Sequence, residues 1–204
     1  MKFYDCKHQN EYMIKPIILA IVILFFSACT KEEIKIPPAS HPVMHYTNLQ
    51  NAEVVPFQPR AVDIDSDGIN DFLFGVLLVG DPILQRDRLQ YLAYSKVSTN
   101  LLNNEQDQSP VLNKEDLISA THQGYQWFEI SAIVLAEKIT TMTDSFWEGL
   151  WKNASHKYLP VQLKKNDKLY HGWIELSFDM VGGKLFMHKA AVSTEANKTI
   201  KAGF

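Results

Sequence analysis

The sequence predicts a mainly β fold, an antiparallel β-sandwich over residues 43–204. Three observations carry that prediction. The stretch "HGWIELSF", residues 171–178, alternates Ile174, Leu176 and Phe178 against Trp173, Glu175 and Ser177. That is the period of two expected of a strand with one buried face. The next stretch, "DMVGGKLFMHKAAV", sets Gly182 and Gly183 between two strand-like runs. A Gly-Gly pair accepts the positive φ that a tight hairpin turn requires. No alternation of strand-like and helix-like segments runs along the chain, which argues against a parallel sheet.

Residues 1–28 read as a signal peptide, not as part of the fold. Lys15 precedes an apolar run from Ile17 to Phe26, and small residues lead to Cys29. A charged start, a short apolar stretch and a small-residue cleavage site form a secretory signal. The run falls short of the roughly 20 residues a membrane span needs. Met13 makes a more ordinary start for such a signal than Met1. The tetrapeptide "FSAC" resembles a bacterial lipobox, with Phe26 where that family usually has Leu, Val or Ile. The resemblance implies that Cys29 carries palmitate-type acyl chains and becomes the mature N-terminus. Several chains, at about 0.8 kcal/mol per buried methylene, hold a protein on a membrane. "TKEE", residues 30–33, resembles the surface-export signal of Bacteroidetes-type lipoproteins. The expected location is therefore the outer membrane, facing either the outside or the periplasm.

Of the 20 basic and 23 acidic side chains, three and two fall in residues 1–28, leaving 17 against 21. A mildly acidic chain lacks the basic face that nucleic acid requires. The two cysteines are Cys6, in the signal, and Cys29. No internal disulfide is expected, so in an oxidising compartment stability rests on a core or a metal. Residues 29–204 suffice to bury a core as one domain.

The lipidated segment 29–42 contains "IKIPPASHP" and reads as a tether, because Pro37, Pro38 and Pro42 favour extended backbone without a packed partner. "AEVVPF" is a short strand candidate. "DFLFGVLLV", residues 71–79, is apolar on both faces and predicts a fully buried strand. Gly75 within it points to a bulge or a close backbone approach. "LQYLAYSKV", residues 89–97, is the next strand. "TNLLNNEQDQSPVLNKED" reads as an exposed loop, and "KEDLISA" as a helical turn capped by Asn113. "GYQWFEISAIVLA" is a strand pair or one bent strand. "TDSFWEGLWKNA" fits a helix capped by Asp144, with Phe146, Leu150 and Trp151 on one face, and equally a loop with buried aromatics.

The stretch "AVDIDSDGINDFLF", residues 61–74, crowds four aspartates into nine positions. Calcium takes six to eight oxygens, and a wrapping loop offers carboxylates at positions one, three, five and nine and a carbonyl at seven. Those positions hold Asp63, Asp65, Asp67 and Asp71, and the carbonyl of Ile69. Position six must turn sharply, and Gly68 occupies it. Phe74 replaces the glutamate an EF-hand has at position twelve. The segment resembles the "DxDxDGxxD" loop of secreted proteins, in which the ligating turn joins two strands, as in integrin-type propeller repeats. One copy implies the loop without the propeller. A further ligand is then water or a carboxylate from Asp81, Asp87 or Glu53. Four carboxylates this close repel one another unless partial protonation or a bound cation relieves them, and at neutral pH the cation costs less. The expected calcium is structural, pinning the turn between two strands in a chain without disulfides.

"LYHGWIEL" and "AAVSTEANKTIKAGF", taken with the aspartate loop, resemble uncharacterised secreted and lipid-anchored bacterial β-sandwich proteins. The resemblance implies a fold and an exported location, and a fold by itself assigns no activity. His156, His171 and His188 show no metal-site spacing, and no G-x-S-x-G elbow is present. Glu129, Glu148 and Glu175 are available to a glycosidase-like pair. Tyr125, Trp127, Trp147, Trp151 and Trp173 serve either as a sugar platform or as core. The function expected is that of a non-catalytic, calcium-stabilised interaction module on the cell envelope, with a surface protein or glycan as partner. The alternatives are a carbohydrate-binding module and a surface hydrolase.

Overall fold

The computed structural model describes residues 41–204. The signal segment, Cys29 and tether residues 30–40 lie outside the described residues. From 41 onward the chain is antiparallel β throughout, and no described helix is long and apolar enough to cross a membrane.

Thirteen strands form three sheets. They are β1 Met44–Val54, β2 Arg60–Val62, β3 Phe72–Asp81, β4 Arg86–Ser95, β5 Thr99–Asn103, β6 Leu117–Ile118 and β7 Gln126–Glu129. Then follow β8 Ala132–Thr141, β9 Ser145–Glu148, β10 Lys157–Lys165, β11 Lys168–Asp179, β12 Lys184–Ser193 and β13 Ile200–Lys201. The six-stranded sheet has the order β1-β12-β11-β10-β5-β7, and the five-stranded sheet β2-β3-β4-β8-β9. β6 and β13 pair as a separate ribbon.

The main core lies between the two large sheets. Phe72, Phe74, Tyr91 and Leu135 from one meet Leu101, Leu159, Ile174 and Leu176 from the other. Each such side chain contributes roughly 1.5–3 kcal/mol on burial, so this cluster is what holds the sandwich closed. The opposite face of the six-stranded sheet carries a second core of Tyr158, Trp173 and Ala191, joined by Ile118 and Ile200 of the ribbon. This explains why the face of β11 that the alternation predicted to be open is buried. Trp173 is 0 % and Glu175 6 % exposed, because the ribbon and neighbouring side chains cover them.

The Gly182–Gly183 region does turn a hairpin between β11 and β12, with Gly183 at φ 59°. Other expectations need correction. β3 is not buried along its length: Phe72 and Phe74 are core, whereas Leu77 and Leu78 are 48 % and 65 % exposed. The facing β11–β12 hairpin turns at Gly183, whose carbonyl accepts the Tyr91 hydroxyl, while β3 and β4 run on to Asp81 and Arg86. Gly75 makes no bulge, since the β3–β4 register is continuous through it. The loop expected at 99–116 begins with strand β5, whose Leu101 and Leu102 are both buried. No helical turn forms at 114–120. Asp116 Oδ2 accepts the Asn113 N–H at 2.7 Å, and Leu117–Ile118 extends to pair with β13. Residues 125–136 are a strand pair, but β7 and β8 belong to different sheets. Residues 144–156 are β9 and a turn, with Trp151 fully buried, which is the aromatic-loop alternative and not the helix.

Two irregularities sit together on the six-stranded sheet. The β11–β12 register shifts so that His188 is an extra residue between Met187 and Lys189. Edge strand β1 answers with a bulge between Asn48 and Ala52, where Gln50 and Asn51 have positive φ. A bulge bends its strand and re-aims a side chain.

Candidate metal centre

The 63–71 loop connects β2 to β3, whose pairing of Val62 with Phe72 closes its base. The Asp71 N–H donates to the Val62 carbonyl at 2.8 Å. Ile64 is fully buried in the main core and pins the loop to the sandwich. Its N–H donates to Asp71 Oδ2 at 2.8 Å, and its carbonyl accepts the Thr47 hydroxyl at 2.9 Å. The Thr99 hydroxyl donates to the Asp71 carbonyl at 3.0 Å. Both sheets therefore grip the loop.

Within it, aspartates bend the backbone. The Gly68 N–H donates to Asp63 Oδ2 at 2.8 Å, and the Ile69 N–H to Asp67 Oδ1 at 2.9 Å. Gly68 adopts φ +88°, a conformation that side-chain-bearing residues rarely take. Ile69 is 68 % exposed on the outer rim of the turn.

One carboxylate oxygen from each of Asp63, Asp65 and Asp71 lies within 4.8 Å of the other two, so the three could hold a metal ion. Two unit charges at that separation repel by about 3.5 kcal/mol at an effective dielectric of 20. Burial pushes the Asp71 carboxyl up to about 6; the Ile64 N–H opposes that rise, and Asp65, Asp63 and Asp67 add to it. Asp63 Oδ1 is buried and accepts no hydrogen bond. A sealed carboxylate oxygen without a donor is costly, and a hard cation is the partner its chemistry suits.

Asp67 does not join this triad. Its Oδ2 pairs with Lys165 Nζ at 2.9 Å, and Lys165 pairs with Asp65 Oδ2 as well. The hydrogen bond with Lys165 holds the Asp67 carboxyl below its ordinary range. Burial pulls the Lys165 ammonium down, but its bonds to Asp65 and Asp67 outweigh this and raise it. The aspartates are thus not all uncompensated, as the loop alone suggested. Lys165 arrives from the β10–β11 hairpin, whose two-residue turn has Asn166 and Asp167 at φ 50° and 58°. An "ND" pair before "KLYHGWI" was the available signal, because two residues with positive φ make a tight hairpin.

None of the three outside carboxylates reaches the loop. Asp81 is ten residues along β3 from Asp71, about 33 Å at strand rise, and pairs with Arg86 at 3.3 Å. Asp87 is at that same far end, opposite Gly80. Glu53 pairs with Lys184 at 2.9 Å.

The remaining candidates are dispersed. His156 and His188 stack at 4.3 Å, while His171 is apart, between Gln162 Nε2 at 3.1 Å and the Lys198 carbonyl at 2.7 Å. The bulge brings His188 Nε2 to the Ser177 hydroxyl at 2.8 Å and Nδ1 to Asn51 Oδ1 at 2.6 Å. Burial lowers the pKa of His188, and His156 adds to this. Glu175 binds His156 Nδ1 at 2.7 Å and Lys189 at 3.6 Å. Glu148 belongs to the other sheet, and Glu129 to β7, three strands from β11. No two of these glutamates form a facing pair. Trp151 and Trp173 are fully buried, with indole N–H groups donating to the Ser109 and Phe204 carbonyls. They are core, not platform.

Comparison with protein-family models, curated proteins and solved structures gave no match.

Proposed function

We propose that this chain is a lipid-anchored protein of the bacterial cell envelope. One calcium ion ties down its 63–71 loop, and its sandwich serves as a non-catalytic interaction module. The observations that carry the calcium reading are the triad of Asp63, Asp65 and Asp71, with one oxygen of each within 4.8 Å of the others, and the buried, unpartnered Asp63 Oδ1. The ligands would be those three carboxylates, with the Ile69 carbonyl and Asp67 completing the shell if Lys165 withdraws. The ion's role is structural, because the loop joins two core strands and is gripped from both sheets. The anchor and the outer-membrane location rest on the "FSAC" and "TKEE" resemblances at Cys29.

Calorimetric titration of the purified protein with calcium is the test. One site per chain is expected, and chelation should lower the melting temperature. At a hundredfold excess over Kd, a ligand stabilises by about 2.7 kcal/mol, or roughly 5–10 °C for a domain this size. No heat, together with a melting temperature indifferent to chelator, would remove the calcium reading. The anchor is tested separately: Cys29→Ala should abolish palmitate labelling and release the protein from the membrane fraction.

A further inference from the structure

The outer end of the six-stranded sheet carries a second candidate site, unrelated to the acidic loop. Edge strand β7 pairs with β5 in the register Asn103↔Gln126 and Leu101↔Phe128. Strand alternation therefore sets Asn103, Gln126 and Phe128 on the face of the core residue Leu101. The core stops short of them: Phe128 is 41 % exposed. Two turns rise on either side. In one, Asn104 Oδ1 accepts the N–H groups of Gln106 and Gln108, both at 3.0 Å. In the other, the Tyr125 N–H donates to the His122 carbonyl at 3.2 Å, with Gly124 at φ +78°. The hollow that these segments line measures about 620 Å³, within the roughly 300–1,000 Å³ of small-molecule sites.

Its chemistry is selective. Asn103 is only 2 % exposed, and its Oδ1 has no partner, while its Nδ2 reaches Asp107 at a long 3.4 Å. An amide oxygen buried and idle is rare in a folded protein, and a rotation of the Asn103 side chain would present it to a hydroxyl donor in the hollow. His122 Nε2 accepts the Ser119 N–H at 3.1 Å, which leaves the ring proton on Nδ1 as a donor. Burial keeps that ring neutral by lowering its pKa. Gln126 adds a second amide directly across from Asn103, and Glu105 a carboxylate acceptor. Tyr125 and Phe128 contribute ring surface. No lysine or arginine lines the hollow. A phosphorylated, sulfated or carboxylated ligand would find no counter-charge, and a purely apolar one would strand the amides. A ligand bearing many hydroxyls and apolar C–H faces satisfies both sets of groups.

We propose that this hollow binds a neutral oligosaccharide, through hydrogen bonds to Asn103 and Gln126 and contact with the rings of Tyr125 and Phe128. It lies beyond the end of β5 remote from Thr99, which touches Asp71, so about 13 Å of strand separates it from the metal loop. The inference gives the interaction module a ligand class and does not depend on calcium.

The test uses the full chain in a detergent without a sugar headgroup. Cellotriose, maltotriose, the N-acetylglucosamine trimer and, as an acidic control, trigalacturonate are titrated by calorimetry and by NMR of side-chain amides. At least one neutral trimer should bind and shift the Asn103 and Gln126 amide resonances. Tyr125→Ala and Gln126→Ala should each weaken that binding about tenfold while retaining the wild-type melting temperature. Three results would overturn the proposal: no neutral trimer moves those amides, trigalacturonate alone binds, or both variants bind as tightly as wild type. Calcium titration of the same sample reads the 63–71 loop independently.

Discussion

Asp71→Asn tests the electrostatics of the loop with a change of one atom. Asp71 is 6 % exposed, beside Asp63 and Asp65, and without a cation its carboxyl is raised from 3.8 to about 6. Between those values the folded state holds a proton that the unfolded state has lost. The sign follows: stability is full below pH 3.8 and falls as pH rises through 6. A shift of about two units corresponds to about 3 kcal/mol, so charged Asp71 destabilises the apo fold by that order at neutral pH. Asparagine removes the charge, and its amide oxygen still accepts the Ile64 N–H. With chelator at pH 7.5, Asp71→Asn should therefore be more stable than wild type by up to about 3 kcal/mol, and the gain should vanish near pH 4. With calcium the order should reverse, since the variant loses a charged ligand. Urea unfolding at pH 4, 6 and 7.5, with chelator and with calcium, measures all three. A chelated variant less stable than wild type at pH 7.5 would refute the reasoning: the carboxylate would then be worth more as a hydrogen-bond acceptor than it costs as a charge.

Lys165→Met removes the ammonium that competes with a bound cation. At roughly 5 Å in a water-like dielectric the repulsion between a single and a double positive charge is about 1.7 kcal/mol, so calcium affinity by calorimetry should rise about fifteenfold at low salt. Gly149→Ala should destabilise by at least about 2 kcal/mol, because a Cβ there would sit 2.6 Å from the Leu135 carbonyl at φ +102°; urea unfolding reads the loss directly. His171 is buried and its pKa is lowered, first by burial. Its neutral form thus contributes stability present above about 6.5 and lost as pH falls through its folded value. His171→Gln should flatten the decline in calcium-loaded stability between pH 7.5 and 5.

The sequence made the sandwich legible where a strand had one open face or a turn needed special backbone. The Ile174, Leu176, Phe178 alternation and the Gly182–Gly183 turn are of that kind. β5 stayed hidden because the adjacent Leu101 and Leu102 are both buried, which leaves no alternation amid polar neighbours. β10 was missed although "YLPVQLKK" is a strand buried on both faces. Its Pro160 reads as a breaker, and only the tertiary layers tell a doubly covered strand from a loop. The acidic loop was visible from spacing alone. Lys165 was not, because 98 residues separate it from Asp67, and only hairpin geometry unites them. The hollow beside Asn103 was invisible for a related reason: an idle amide oxygen is a property of surroundings, not of residue type.

The kinked stretch of β1 bears on behaviour at high concentration. β1 is an outer strand of eleven residues, long enough to offer a second molecule a continuous row of amide and carbonyl groups. The extra residues between Asn48 and Ala52 break that row in the middle. An approaching chain can therefore zip onto only a few residues before its register fails. The irregularity that seats His188 thus also shortens the stretch of this edge open to pairing.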